Sequence, residues 1–279
     1  MSLGILTNVA ATYAENNLNQ TQGSLQNVLQ QLSSGSRINS GADDAAGLSL
    51  ADGLHANEAA LTQSAQNAQN GVGLLQTADG ALSQVTNLLD RAVTLATEAS
   101  NGGLTAAQST AADTEFQSIL TEIGNIGTST NFNSTAVFSA TATNFVVSDG
   151  TASGTTTIAA SVGALTSANV GAGTGVDLSG DDLTSSANSQ TALTDLTNAV
   201  ADVAAQRGAI GANINQLSAA ANVASSEEVN LSSAESAVRS TNYGQATSDL
   251  AKFQVLSQTG ISALAQANSV QQEILKLLQ

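Results

Sequence analysis

The sequence predicts a mainly α protein: a long antiparallel coiled-coil-like helical bundle built from both chain ends, with a small β-hairpin-containing outer segment. Three observations carry this prediction. Apolar residues recur at steps of three and four near both ends and lose that spacing between residues 128 and 190. Pro is absent, which fits uninterrupted helices because a Pro in a helix interior costs about 3 kcal/mol or more. Five Phe, two Tyr and no Trp in 279 residues suit elongated helices packed through small side chains better than a thick globular core.

Leu3, Leu6, Ala10 and Tyr13, and after them Leu18, Leu25, Val28 and Leu32, recur at steps of three, four and seven, so each group falls on one side of a helix. The stretch LSSGSRINSGADDAAGL then interrupts the pattern. Gly35 and Gly41 let the backbone turn there, and Asp43 or Asp44 restarts the next helix by capping its free N–H groups at the positive end of the dipole. The longest seam follows at Leu50, Leu54, Leu61, Ala65, Ala68, Val72, Leu75, Leu82, Val85, Leu89 and Ala96, with polar Asn57 and Asp79 filling the skipped turns. SNGG at 100–103 stops it, and a shorter helix through Phe116, Ile119, Leu120 and Ile123 is expected to end at Gly124 and Gly127.

Between 128 and 190 the chain turns to Thr, Ser, Gly and Ala, and NFVVSDGTASGTTTIAAS reads as a hairpin around Asp149-Gly150 and Gly154. Helical spacing returns at Leu196, Val200, Val203, Ile210, Ile214, Leu217, Ala220, Ala224, Leu231, Ala234 and Val238, then at Leu250, Phe253, Leu264, Ala267, Ile274 and Leu278. Lone amphipathic helices are marginal in water, so the two ends are expected to pair through a terminal packing seam of Leu3, Leu6, Leu25, Leu32, Leu250, Phe253, Leu264 and Leu278. These seams leave apolar surface after pairing, which other copies of the chain must bury.

Composition excludes several classes. A formal net charge of −16 has the wrong sign for nucleic acid or an anionic membrane surface. The chain lacks Cys, so it has no disulfide framework and no thiolate site. No run of about 18 apolar residues exists, so no membrane insertion is expected. The opening MSLGILTNVAATYAENN has neither the basic flank nor the apolar stretch of a cleavable signal. His55 with Glu58 gives only half a metal site, and His55 is expected to be a surface residue. The adjacent carboxylates of Asp43 and Asp44 are read as capping groups, so no catalytic, metal or cofactor residue is expected and the chain is not read as an enzyme. Asn19, Asn133 and Asn230 head sequons expected to stay unmodified.

Residues LSSGSRINSGADDAAGLSLADGL, NAQNGVGLLQTADGALSQVTNLLDRAVTLATEASNG and TSTNFNS, and the carboxyl-terminal NLSSAESAVRSTNYGQATSDLAKFQVLSQTGISALAQANSVQQEILKLLQ, resemble bacterial flagellin. The resemblance covers roughly the first 138 and last 90 residues. It implies a structural subunit that self-assembles into the flagellar filament for swimming motility, extracellular after unfolded export through the flagellar type III apparatus. A hook-filament junction protein or a monomeric secreted helical binding module is the alternative. It implies a channel-lining terminal domain at 1–42 and 240–279, an inner helical domain at 43–138 and 187–239, and a short outer β-rich segment at 139–186. It implies, besides the homopolymer, an export chaperone, cap and hook-junction proteins as partners. Gly35, Arg37, Gly41, Asp43 and Asp44 would form a spoke fixing the angle between two helical layers, with Arg37 paired to a carboxylate or to a neighbouring subunit. Arg91, Leu95 and Glu115 occupy positions of an assembly surface that a Toll-like receptor recognises in some members.

Overall fold

The computed structural model describes residues 7–150, 154–171 and 175–277, with side chains as far as residue 273. Five helices and four short strands occur in these residues: α1 (Val9–Ser34), α2 (Ala45–Ser100), α3 (Ala106–Ser129), β1 (Asn131–Phe132), β2 (Thr135–Ala136), β3 (Thr143–Val146), β4 (Thr157–Ala160), α4 (Ser186–Arg239) and α5 (Tyr243–Leu277). The mainly α bundle with a small β part is thus the observed fold class. The chain divides into two compact units, one of Met1–Ala56 with Asn230–Gln279 and one of Asn57–Val229.

In the first unit, α1 and α5 pair antiparallel. At the open end the Asn8 side chain accepts from Ala11 N at 3.0 Å, capping α1, while its Nδ2 donates to the Ala267 carbonyl at 2.9 Å. In mid-helix Leu18 lies against Gly260, where an added Cβ would stand 3.3 Å from Leu18 Cδ1. Leu18, Leu25, Leu32, Leu250, Phe253 and Leu264 are half-buried, and within α1 only Val28 is fully buried. Tyr13 of α1 is 69 % exposed. Leu50 is also turned out, at 54 % exposed. Leu3, Leu6 and Leu278 of the expected seam lie outside the described residues, and nothing of the Ile274 side chain is described.

The second unit holds a continuous core. Leu61, Ala65, Ala68, Leu75, Ala78, Leu82, Val85, Leu89, Ala92, Ala96 and Ala99 are buried along α2, a sustained alternation of three- and four-residue steps. From Ala68 onward they pack in one cluster with Phe116, Ile119, Leu120 and Ile123 of α3 and with Ala192, Leu196, Ala199, Val203, Ile210 and Leu217 of α4, the helices closing on small side chains as the composition foretold. Asp79, the polar residue in the α2 pattern, meets Arg207 of α4 at 2.7 Å.

The helix expected to stop at Gly124 and Gly127 instead runs through both to Ser129. Gly127 serves another purpose: a Cβ there would overlap the Leu165 carbonyl oxygen, so the bare glycine lets the loop backbone lie directly on α3. The expected hairpin forms as β3 and β4, antiparallel, with Phe145 opposite Ile158. It sits on α2 at Gly71, where a Cβ would come within 2.9 Å of Leu217 Cδ1 and 3.1 Å of Phe145, while Ser64 Oγ and Asn67 Nδ2 donate to the Ser148 and Val146 carbonyls. A second, smaller hairpin, β1 with β2, was not read from the sequence. Its turn residues Asn133 and Ser134 both take positive φ, 49° and 64°, the backbone twist that suits a two-residue connection.

Residues after β4 look like linker by composition, yet Val162, Leu165, Val170, Leu178 and Leu183 are buried in the same cluster as the helices. Hydrogen bonds from both helices help place them: Gln206 of α4, 4 % exposed, donates from Nε2 to the Val162 carbonyl at 2.6 Å, and Leu183 N donates to Asp113 Oδ1 of α3 at 2.9 Å.

Candidate functional site

The interruption between α1 and α2 is built from the first unit alone. Gly35 ends α1 with φ 71°, and its N–H donates to the Gln31 carbonyl. Its own carbonyl accepts from Thr241 N at 3.0 Å, and a Cβ on it would stand 3.0 Å from Tyr243 Oη. Ser36 bridges Ser240, and Ser36 Oγ donates to the Ile38 carbonyl at 2.7 Å. The backbone N–H of Arg37 donates to the Arg239 carbonyl at 2.7 Å. These bonds join the exit of α1 to the exit of α4 across about two hundred residues of chain, and they satisfy carbonyls that a helix end leaves orphaned.

Arg37 was expected to meet a carboxylate or a neighbouring subunit. Within the chain its Nη2 donates to the Val238 carbonyl at 2.8 Å, placing the guanidinium at the negative end of the α4 dipole. Ile38, the next residue, is 2 % exposed and packs its Cδ1 against Gly47 at the start of α2. Glu235, on the last turns of α4, meets Arg239 Nη1 at 3.2 Å and His55 Nδ1 at 3.5 Å, so His55 faces a carboxylate rather than open solvent alone.

The two acidic residues divide the work. Asp44 Oδ1 accepts from Gly47 N at 2.8 Å and so caps α2. Asp43 Oδ2 accepts from Asn39 N at 3.1 Å, Ser40 N at 2.9 Å and Ser40 Oγ at 3.1 Å. Those donors, the Asn39 amide first, hold its carboxyl below the ordinary value. Gly41 is not a left-handed position: only Gly35 of the two hinge glycines has positive φ, and a Cβ on Gly41 would meet Leu48 at an ordinary 3.9 Å. The turn at 40–43 is therefore made by the Asp43 clamp and not by glycine freedom.

In the second unit Arg91 of α2 and Glu115 of α3 form a two-pronged pair, Nε to Oε1 at 2.7 Å and Nη2 to Oε2 at 3.0 Å. That hydrogen bonding keeps the Glu115 carboxyl below its usual range. Leu95, grouped with them in the sequence, is 3 % exposed and packs inward, so the outer surface at this place is the ion pair without the leucine. Asp181 stands apart: its carboxyl is pushed up to about 6, by burial first and then by the charges of Asp195, Asp177 and Asp182.

Gln206 and Asp181 escaped the sequence reading. For Gln206 a signal existed, because the α4 seam steps from Val203 to Ile210 and leaves the intervening inward position to a glutamine. For Asp181 none did, since the loop that buries it has no periodicity.

Among known proteins, the family model for the bacterial flagellin N-terminal helical region matches residues 5–143, and that for the bacterial flagellin C-terminal helical region matches residues 193–278. A flagellin of Halalkalibacterium halodurans is 31 % identical over 97 % of this chain and 98 % of its own length. A flagellin of Treponema pallidum is likewise 31 % identical, over 97 % of this chain and 98 % of its own. Flagellin 1 of Proteus mirabilis is 38 % identical over 54 % of this chain and 41 % of its own length. The crystal structure of Bacillus cereus flagellin aligns with a TM-score of 0.47 at 28 % identity, over 57 % of this chain and 88 % of that one. With both helical regions matched and similarity along nearly the whole chain, the protein belongs to the bacterial flagellin family.

Proposed function

We propose that this chain is the repeating subunit of a helical flagellar filament, and that identical copies complete the burial which one chain leaves open. One observation carries the reading: α1 and α5, already paired, still present Val9 at 58 %, Tyr13 at 69 %, Val255 at 62 % and Ile261 at 49 % exposed. Each apolar Å² removed from water is worth about 25 cal/mol, so faces of this kind drive association with further copies. Family membership supports the same role, which is structural and not enzymatic.

In this reading residues 1–42 and 240–279, which hold α1 and α5, line the channel of the filament, residues 43–138 and 187–239 make the wall, and the short segment 139–186 faces outward. The joint at Gly35–Asp44 fixes the angle between the inner two layers. Arg91 and Glu115 lie on a face that packs against a neighbouring copy, and that a Toll-like receptor reads when the face is free. The chain reaches the extracellular filament unfolded, through the flagellar type III apparatus, attended by an export chaperone and met by cap and hook-junction proteins.

Deleting residues 250–279 removes the partner of α1 and should leave soluble monomer under conditions where the whole chain forms filaments. Electron microscopy decides: filaments of unchanged length from the truncated chain would overturn the proposal. Failure of the whole chain to polymerise alone would favour a junction protein.

A further inference from the structure

Two Asn-Gly pairs occur in the chain, Asn70-Gly71 and Asn101-Gly102, and the fold treats them oppositely. Asn-Gly is the dipeptide in which the backbone nitrogen of the second residue most easily reaches the side-chain amide of the first, because glycine offers no side chain to obstruct the approach. Gly71 is buried inside α2, its N–H belongs to the helix ladder, and Leu217 and Phe145 close over it. Asn101 and Gly102 are exposed in the turn after α2, with Gly102 at φ 59° and open space around it. The Asn101 N–H is bonded to the Glu98 carbonyl at 3.3 Å, whereas the Gly102 N–H meets no acceptor among the described residues.

We infer that Asn101 is a site of spontaneous deamidation through a succinimide, and that Asn70 is protected by the fold. Gly102 N loses its proton to solvent base and attacks Asn101 Cγ. The N–Cγ bond forms, the Cγ–Nδ2 bond breaks, and Nδ2 leaves as ammonia. Water then opens the ring at either carbonyl, giving an aspartyl or an isoaspartyl residue at 101. Proximity supplies the rate, since the reacting atoms are neighbours on one chain. At position 70 the Gly71 amide must first leave the helix, which slows attack about tenfold for each 1.4 kcal/mol of local stability.

The product changes the turn in two ways. It adds a negative charge one turn beyond Glu98, at the end of α2 where the dipole already disfavours one. In the isoaspartyl form it also lengthens the backbone between α2 and α3 by a methylene. The modification therefore marks the age of a chain at a defined place.

The test incubates the whole folded chain in warm, mildly alkaline water enriched in oxygen-18, with a urea-unfolded sample alongside, and maps peptides by mass spectrometry. The expected result is heavy-oxygen incorporation at 101 in the folded chain with at least about a hundredfold less at 70, and comparable incorporation at both in urea. Asn101→Gln should abolish the signal at 101, and an isoaspartyl methyltransferase should label the incubated wild-type chain there. Equal conversion at 70 and 101 in the folded chain, or an intact Asn101 while the unfolded sample converts, overturns the inference.

Discussion

Gly124 and Gly127 sit one turn apart on α3 and make opposite predictions. Nothing lies within 4 Å of a Cβ on Gly124, so Gly124→Ala should stabilise the protein by about 0.5–1 kcal/mol through helix propensity. Gly127→Ala must displace the Leu165 carbonyl and should destabilise by about 1–3 kcal/mol, measured by urea denaturation. The sequence shows both as helix punctuation; only contact with a loop far along the chain tells them apart. The same holds at the joint, where Gly35→Ala should weaken the fold and Gly41→Ala should not. Asp181 supplies a pH test. Its carboxyl lies at about 6 against an ordinary 3.8, so the folded chain binds that proton more tightly than the unfolded chain does. Stability from this group is present at low pH, falls as pH rises through that window, and is lost above it. Asp181→Asn should raise the unfolding temperature by a few degrees at about pH 8 and bring no gain at about pH 3.5.

Helices were legible because their period is written in every turn: the α2 seam from Leu61 to Ala96 is buried much as its spacing demands. The β3–β4 hairpin was legible from its turn residues, Asp149-Gly150 and Gly154. The segment 161–185 was not, because its buried residues are spaced by loop geometry and not by a helix or strand period. Gln206 gives that segment a buried hydrogen bond to α4, and the substitution Gln206→Glu tests it. A carboxylate placed 4 % exposed beside the Val162 carbonyl would be repelled by the acceptor it replaces a donor for, costing about 3 kcal/mol or more at neutral pH. The loss should shrink on acidification as the carboxyl protonates, which thermal unfolding across pH would read. At the joint the capping role of the Asp43-Asp44 pair was legible, while the division between them was not. Asp44→Ala should remove about 1 kcal/mol of cap from α2. Asp43→Ala should loosen the turn at 40–43 with the helix start intact, seen as faster amide exchange at Asn39 and Ser40.

On the scale of the whole molecule, a net charge of −16 on each chain opposes the gathering of copies. The four arginines are already engaged: Arg91 with Glu115, Arg207 with Asp79, Arg239 with Glu235, and Arg37 with a helix carbonyl. Raising salt from about 0.1 M to 1 M shortens the screening length from about 10 Å to about 3 Å and should accelerate polymerisation followed by light scattering. Slower assembly at high salt would show that charges pair across the contacts between copies. The joint carries a consequence of a different kind. Gly35 is tied to Thr241, Arg37 to Val238 and Asn8 to Ala267, so these bonds, which close the first unit, wait for residues near the far end of the chain. Loop closure of that length is slow compared with the local contacts of a single helix. The first unit is thus the last part of the protein to become possible: a chain whose residues 230–279 are withheld has no way to shut it, and the moment of their release sets the moment of folding.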